Sequence, residues 1–138
     1  MTGNPYLELF LRHDTIGIDM DRTLVGYNPT KTLLWEAISK ECGRRSFWIV
    51  TFRHETATET VRDLIDEGFP WKEGVFERIV HAPEDISRNS WNTDDERVAS
   101  WKPFVCRWAG ITLMVDDRED LKPYFVRYGI RYVNPHKL

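Results

Sequence analysis

Thr15-Ile16-Gly17-Ile18-Asp19-Met20-Asp21-Arg22-Thr23 decides the reading of this chain, together with a second stretch of the same build, Ile111-Thr112-Leu113-Met114-Val115-Asp116-Asp117-Arg118. Each is a short apolar run of β-formers that ends in carboxylates. That is the pattern of a buried strand delivering its last residues to a sheet edge. In open parallel sheets, ligands bind at the carboxyl ends of the strands. Asp19, Asp21, Asp116 and Asp117 gathered there would raise one another's pKa values unless a cation sat between them. Ligands that are all oxygen point to Mg²⁺. The pattern is that of a chain built to hold a metal and a phosphate.

The rest of the composition is consistent with one domain spanning residues 1–138, large enough to bury a core without staples. Apolar residues make up 41% and charged residues 30%, an ordinary balance for a globular protein. A net charge of −3 argues against broad, sequence-blind binding to duplex nucleic acid. No run approaches the roughly 18 apolar residues of a membrane span, and no signal-peptide core opens the chain, so no membrane partner is expected. Cys42 and Cys106 lie far apart and belong to no metal or redox motif. A reducing, cytoplasmic setting is the expectation.

Strand and helix patterns alternate. Residues 1–13 form a lead-in in which Leu7, Leu9 and Leu11 alternate as an extra strand or turn would. Strands are expected at 15–19, 46–51, 75–81, 111–115 and 130–133, and helices at 32–42, 54–67, 93–109 and 121–128. Thr93 has a capping-box spacing to Glu96, and Pro103 would kink or restart the helix that follows. Residues 82–92 read as polar and irregular. The alternation predicts an α/β layered fold with a central parallel sheet.

The acidic motifs carry a definite chemistry. Hydrolysis of a phosphate monoester needs in-line attack and neutralisation of charge on the phosphoryl oxygens. A carboxylate can be the nucleophile, and a second group must then protonate the leaving alcohol and later activate water. Asp19 fits the first role and Asp21 the second. Mg²⁺ held by Asp19 and Asp116 would bring an anionic nucleophile to an anionic phosphate. Thr51 ends the second strand and offers a hydroxyl to a phosphoryl oxygen; Arg53, two residues on, is a plausible phosphate fork. The phosphate-side cation is Lys102 or Arg97, both before strand four. Asp120 is expected to cap the helix that follows.

In this order, Asp19-x-Asp21-x-Thr23, Thr51, a Lys or Arg, then Asp116-Asp117, the chain resembles the haloacid dehalogenase superfamily of phosphohydrolases. The resemblance implies a three-layer Rossmann-like domain with strand one central, Mg²⁺ dependence and an aspartyl-phosphate intermediate. It maps Asp19 to nucleophile, Asp21 to acid/base, and Thr51 and the cation to phosphate binding. Asp116 and Asp117 would hold the metal with Asp19, and the backbone carbonyl of Asp21 would join them. Thr51-Phe52-Arg53 and Val115-Asp116-Asp117-Arg118 are most similar to the phosphatase domain of polynucleotide kinase-phosphatases and related phage-type phosphatases. Arg22 departs from the family pattern, which has glycine there, so the turn must tolerate a side chain. The family spacing favours the neighbourhood of Arg97 for the cation, while residue type and the Lys102-Pro103 dipeptide favour Lys102.

Residues 24–30 are too few for a cap, and 69–96 leave room for a minimal flap at most. An uncovered cleft suits a phosphate on a large or extended substrate, such as a nucleic-acid 3′ end, or a nucleotide; a phosphoprotein is the alternative. A receiver-type signalling domain also combines an acidic pair, a Thr and a Lys. Its acceptor aspartate would end strand three, where this chain has His81-Ala82-Pro83. A binding protein that keeps the fold without turnover is the other competing class, and intact Asp19 and Asp21 argue against it.

Overall fold

A computed structural model describes residues 3–138. Five strands, β1 (Thr15–Ile18), β2 (Ser46–Thr51), β3 (Arg78–His81), β4 (Leu113–Val115) and β5 (Arg131–Val133), form one sheet in the order β3-β2-β1-β4-β5. Every pairing is parallel. The chain runs outward from β1 to β3, then returns to the other side of β1 for β4. That reversal opens a crevice at the carboxyl ends of β1 and β4, where α/β sheets of this kind take their ligands. The architecture is α/β and compatible with a Rossmann-like fold.

Side chains alternate across the sheet as strand geometry requires. Ile16, Ile18, Phe47 and Ile49 face one layer, which holds α1 (Pro5–Phe10), α2 (Lys31–Glu41) and α3 (Ala57–Glu67) through Tyr6, Phe10, Leu34, Ile38 and Leu64. Trp48, Val50 and Met114 face the other, which holds α5 (Glu96–Ala109) and α6 (Lys122–Arg127) through Val105, Cys106 and Phe125. Gly17 lets β1 meet this second layer closely: a Cβ there would lie 2.6 Å from the Met114 sulfur. A capping box between Thr56 and Glu59 starts α3, and Gly68 at φ 102° ends it.

Several expectations change. The lead-in is a helix, α1, rather than a strand or turn. Asn4 caps it by accepting the Tyr6 N–H, and Pro5 occupies its first turn. Its buried pair is Tyr6 and Phe10, four apart, while Leu11 is exposed. Burying Phe10 contributes about 1.5–3 kcal/mol, which outweighs the leucine alternation. The irregular stretch holds a short helix, α4 (Glu84–Arg88). Asp95, not Thr93, caps α5 by accepting the Arg97 N–H, so the helix starts two residues later than its capping-box spacing suggests. Asp120 caps nothing; its carboxylate receives Arg118 instead. Pro103 is carried inside α5. Among the described residues no helix is long and apolar enough to cross a membrane.

Candidate active site

The last backbone bonds of the sheet set the two key carboxylates. Asp19 follows β1, and its N–H donates to the Val115 carbonyl at 2.9 Å. Asp116 follows β4, and its N–H donates to the Val133 carbonyl at 3.0 Å. Each is thereby pinned between neighbouring strands at the crevice. From the layer beside them α5 turns an apolar stripe of Val98, Ala99, Val105 and Cys106 to the sheet, and Lys102 lies on that same stripe. Its Nζ reaches Asp19 Oδ1 at 2.8 Å and Asp116 Oδ2 at 2.7 Å. All three residues are buried, Lys102 to 1% exposure. A lysine on an apolar stripe is expensive unless paired, and here it is paired twice.

Burial pushes both carboxyl groups above the ordinary carboxylate range, with Asp117 adding to the effect at Asp19, and Asp19 adding to it at Asp116. For Lys102, burial opposes the charge, but Asp116 and Asp19 outweigh it and raise the ammonium pKa. It stays charged. Asp117 completes the group: one carboxylate oxygen from each of Asp19, Asp116 and Asp117 lies within 4.8 Å of the others. Three carboxylates and one ammonium leave two negative charges in a poorly solvated place. That balance, and a donor set of hard oxygens, fit a hard divalent cation.

The other residues singled out from sequence fall in three places. Thr51, the last residue of β2, is buried and lines the same cleft, of about 240 Å³, as Asp19, Asp21, Lys102 and Asp117. Its Oγ1 accepts the Arg53 N–H at 3.0 Å. Asp21 sits at the rim, outside the three-carboxylate cluster, with its side chain 60% exposed. Arg53 clasps it with two bonds, Nε to Oδ2 at 3.0 Å and Nη2 to Oδ1 at 2.8 Å. The remaining arm of Arg53 goes to Glu55 at 3.0 Å and Asp63 at 2.6 Å. Its side chain is therefore engaged with carboxylates and presents no open fork to a phosphate. Arg97 is not brought to the cleft at all. It lies exposed on the first turn of α5, paired with Asp85 at 3.0 Å and Asp95 at 3.3 Å.

The cleft also contains residues to which the sequence assigned no role. Phe52 lies under Lys102, whose Nζ is 4.7 Å from the ring centroid. Ser90 comes from the loop after α4 and is tied down by Arg118, which donates to its carbonyl at 3.0 Å. Phe52 stood between two flagged residues, and strand alternation alone would have aimed it away from Thr51 and Arg53. Nothing local marks Ser90. A second cavity of about 420 Å³ adjoins the cleft, shares Asp21 and Arg22 with it, and is lined further by Asp63, Asp66 and Glu67. No family model matches this chain, nor does any curated protein or solved structure compared with it.

Proposed function

We propose that this protein is a Mg²⁺-dependent phosphomonoester hydrolase of the haloacid dehalogenase type, working through an aspartyl-phosphate. The observation that carries the reading is the buried Asp19–Lys102–Asp116 group, with Thr51 and Asp117 lining the same cleft at the strand ends. A structural ion pair needs one carboxylate per lysine. Here the carboxylates are in excess, at the crevice where α/β sheets bind ligands, beside a hydroxyl that can donate to an anion.

In this reading an Asp19 carboxylate oxygen attacks phosphorus, and the bond to the leaving oxygen breaks. Asp21 delivers a proton to that oxygen. Water then attacks the same phosphorus while Asp21 takes up its proton, releasing phosphate and restoring Asp19. Lys102 and Thr51 stabilise charge on the phosphoryl oxygens. Asp19, Asp116 and Asp117 would hold Mg²⁺, which supplies charge neutralisation between nucleophile and phosphate. Arg53 keeps the Asp21 carboxylate at the rim. The short segments after β1 and after β3 support a cleft with no or minimal cap, and so an accessible phosphate such as a nucleic-acid 3′ end or a nucleotide.

A panel of phosphate esters, assayed with and without Mg²⁺, tests this: p-nitrophenyl phosphate, nucleotides, a 3′-phosphorylated oligonucleotide and a phosphopeptide. Turnover that needs Mg²⁺ and vanishes in Asp19→Asn is expected. Phosphate binding with no turnover of any ester would favour a non-catalytic binding protein. Preference for the phosphopeptide would move the substrate to phosphoproteins.

A further inference from the structure

We propose that Arg22 is the guanidinium that grips the substrate phosphate, and that Arg53 is a positioning residue acting through Asp21. The inference rests on the phosphohydrolase reading above. Two further arginines close to the reacting carboxylates have their side chains occupied. Arg53 is bonded to Asp21, Glu55 and Asp63. Arg118 gives Nε and Nη2 to Asp120 and Nη1 to the Ser90 carbonyl. Arg22 differs. Its one side-chain partner among the described residues is Asp117, with Nε 3.4 Å from Oδ2, and its side chain is 60% exposed. Both terminal nitrogens stay available as the planar fork that matches two phosphate oxygens.

Position supports the assignment. Asp117 belongs to the carboxylate cluster around Asp19, so the Arg22 guanidinium is one ion pair from the reacting centre. Arg22 also lines both the cleft and the adjoining cavity. It stands where a phosphoryl group in the first would join a leaving group in the second.

The backbone at residue 22 tells the same story. Its φ is +58°, and among the described residues it is the single non-glycine in the left-handed region, a conformation that L side chains avoid. The turn is fixed from both sides: the Arg22 N–H donates to the Val25 carbonyl at 2.8 Å, and His136 Nε2 lies 2.8 Å from the Arg22 carbonyl. Glycine would occupy this turn without strain. The turn therefore does not call for an arginine, and the cleft does: an incoming phosphate dianion meets Asp19, Asp21 and Asp117 there, with Lys102 already bonded to two carboxylates.

The test measures inorganic phosphate binding by calorimetry in Mg²⁺ buffer, alongside kinetics on p-nitrophenyl phosphate and thermal melts. Arg22→Gly is expected to weaken phosphate binding about tenfold or more, to raise KM by a similar factor with a smaller change in kcat, and to melt no lower than wild type. Arg22→Lys should recover only part of the affinity. Arg53→Gln should leave phosphate affinity within about twofold and lower kcat instead. Wild-type affinity in Arg22→Gly, or an equal loss in Arg53→Gln, would overturn the assignment, and a lower melting temperature in Arg22→Gly would overturn the strained turn. Failure of the wild type to turn over any ester is a different result, since it strikes the phosphohydrolase reading itself.

Discussion

Two charge clusters sit side by side at the carboxyl edge of the sheet, each built on one cation with more carboxylates than it can neutralise. In the inner one, Lys102 lies between Asp19 and Asp116, all buried. In the outer one, Arg53 holds Asp21, Glu55 and Asp63, and the Asp21 and Asp63 side chains are 60% and 48% exposed. Water and salt screen the outer excess. The inner excess has no such outlet, so it appears as raised carboxyl pKa values, and a further cation would relieve it. Charge imbalance in a wet place is ordinary; the same imbalance in a dry place calls for a ligand.

The comparison can be broken at four points. In the proposed mechanism Asp19→Asn removes the attacking oxygen, and it should cut turnover by about four orders of magnitude or more, read by steady-state kinetics. Lys102→Met leaves two buried carboxylates without their cation, which should destabilise the fold by about 3–5 kcal/mol near neutral pH. Denaturant melts check this, and a loss below about 1 kcal/mol would mean the inner cluster is wetter than described.

The third point is pH in the metal-free protein. Asp19 and Asp116 are pushed up to about 6 and about 7, so the folded state keeps protons that the unfolded chain has already released. Stability from these groups should therefore be fullest below about pH 4 and fall steadily as pH rises towards 7. Lys102 is protonated in both states across that window and does not reverse the sign. Mg²⁺ should raise the melting temperature more at pH 7 than at pH 5. A metal-free protein that grows steadily more stable from pH 4 to 7 contradicts the description. The smallest effect belongs to the outer cluster: Asp63→Asn should change stability by less than about 1 kcal/mol, and the change should shrink further in high salt.

Much of this edge was legible because its signals are local. An apolar run ending in Asp19 or Asp116 shows both its strand character and the place where its carboxylate emerges, within a few neighbouring residues. The lead-in was misread because two local signals competed: leucines at alternating positions suggested a strand, while Asn4-Pro5 and the buried pair Tyr6 and Phe10 made a helix. The start of α5 was misplaced for a similar reason. Thr93 and Glu96 have capping-box spacing, but Asp95 lies nearer and takes the cap.

Roles that depend on charge partners were not legible in the same way. Arg53 follows Thr51 just as a phosphate fork would, yet its partner Asp63 arrives from α3 and spends that fork on carboxylates. Lys102 and Arg97 stand five residues apart on one helix, and their spacing to Asp116-Asp117 left both open. Helix geometry separates them: Lys102 shares the buried stripe with Val98 and Val105, whereas Arg97 faces solvent.

By itself the sequence determined the alternation of strands and helices, the largely apolar β1 and the all-apolar β4, and the carboxylates at their ends. Those follow from periodicity and side-chain chemistry over a few residues, which do not depend on what packs nearby. The tertiary structure alone decided that Lys102 meets Asp19 across 83 positions of chain, that Arg53 is engaged with carboxylates, and that Arg22 keeps its guanidinium ends available. Such partnerships depend on burial and on distances of about 3 Å between elements remote in sequence, and those are fixed only when helices pack on the sheet.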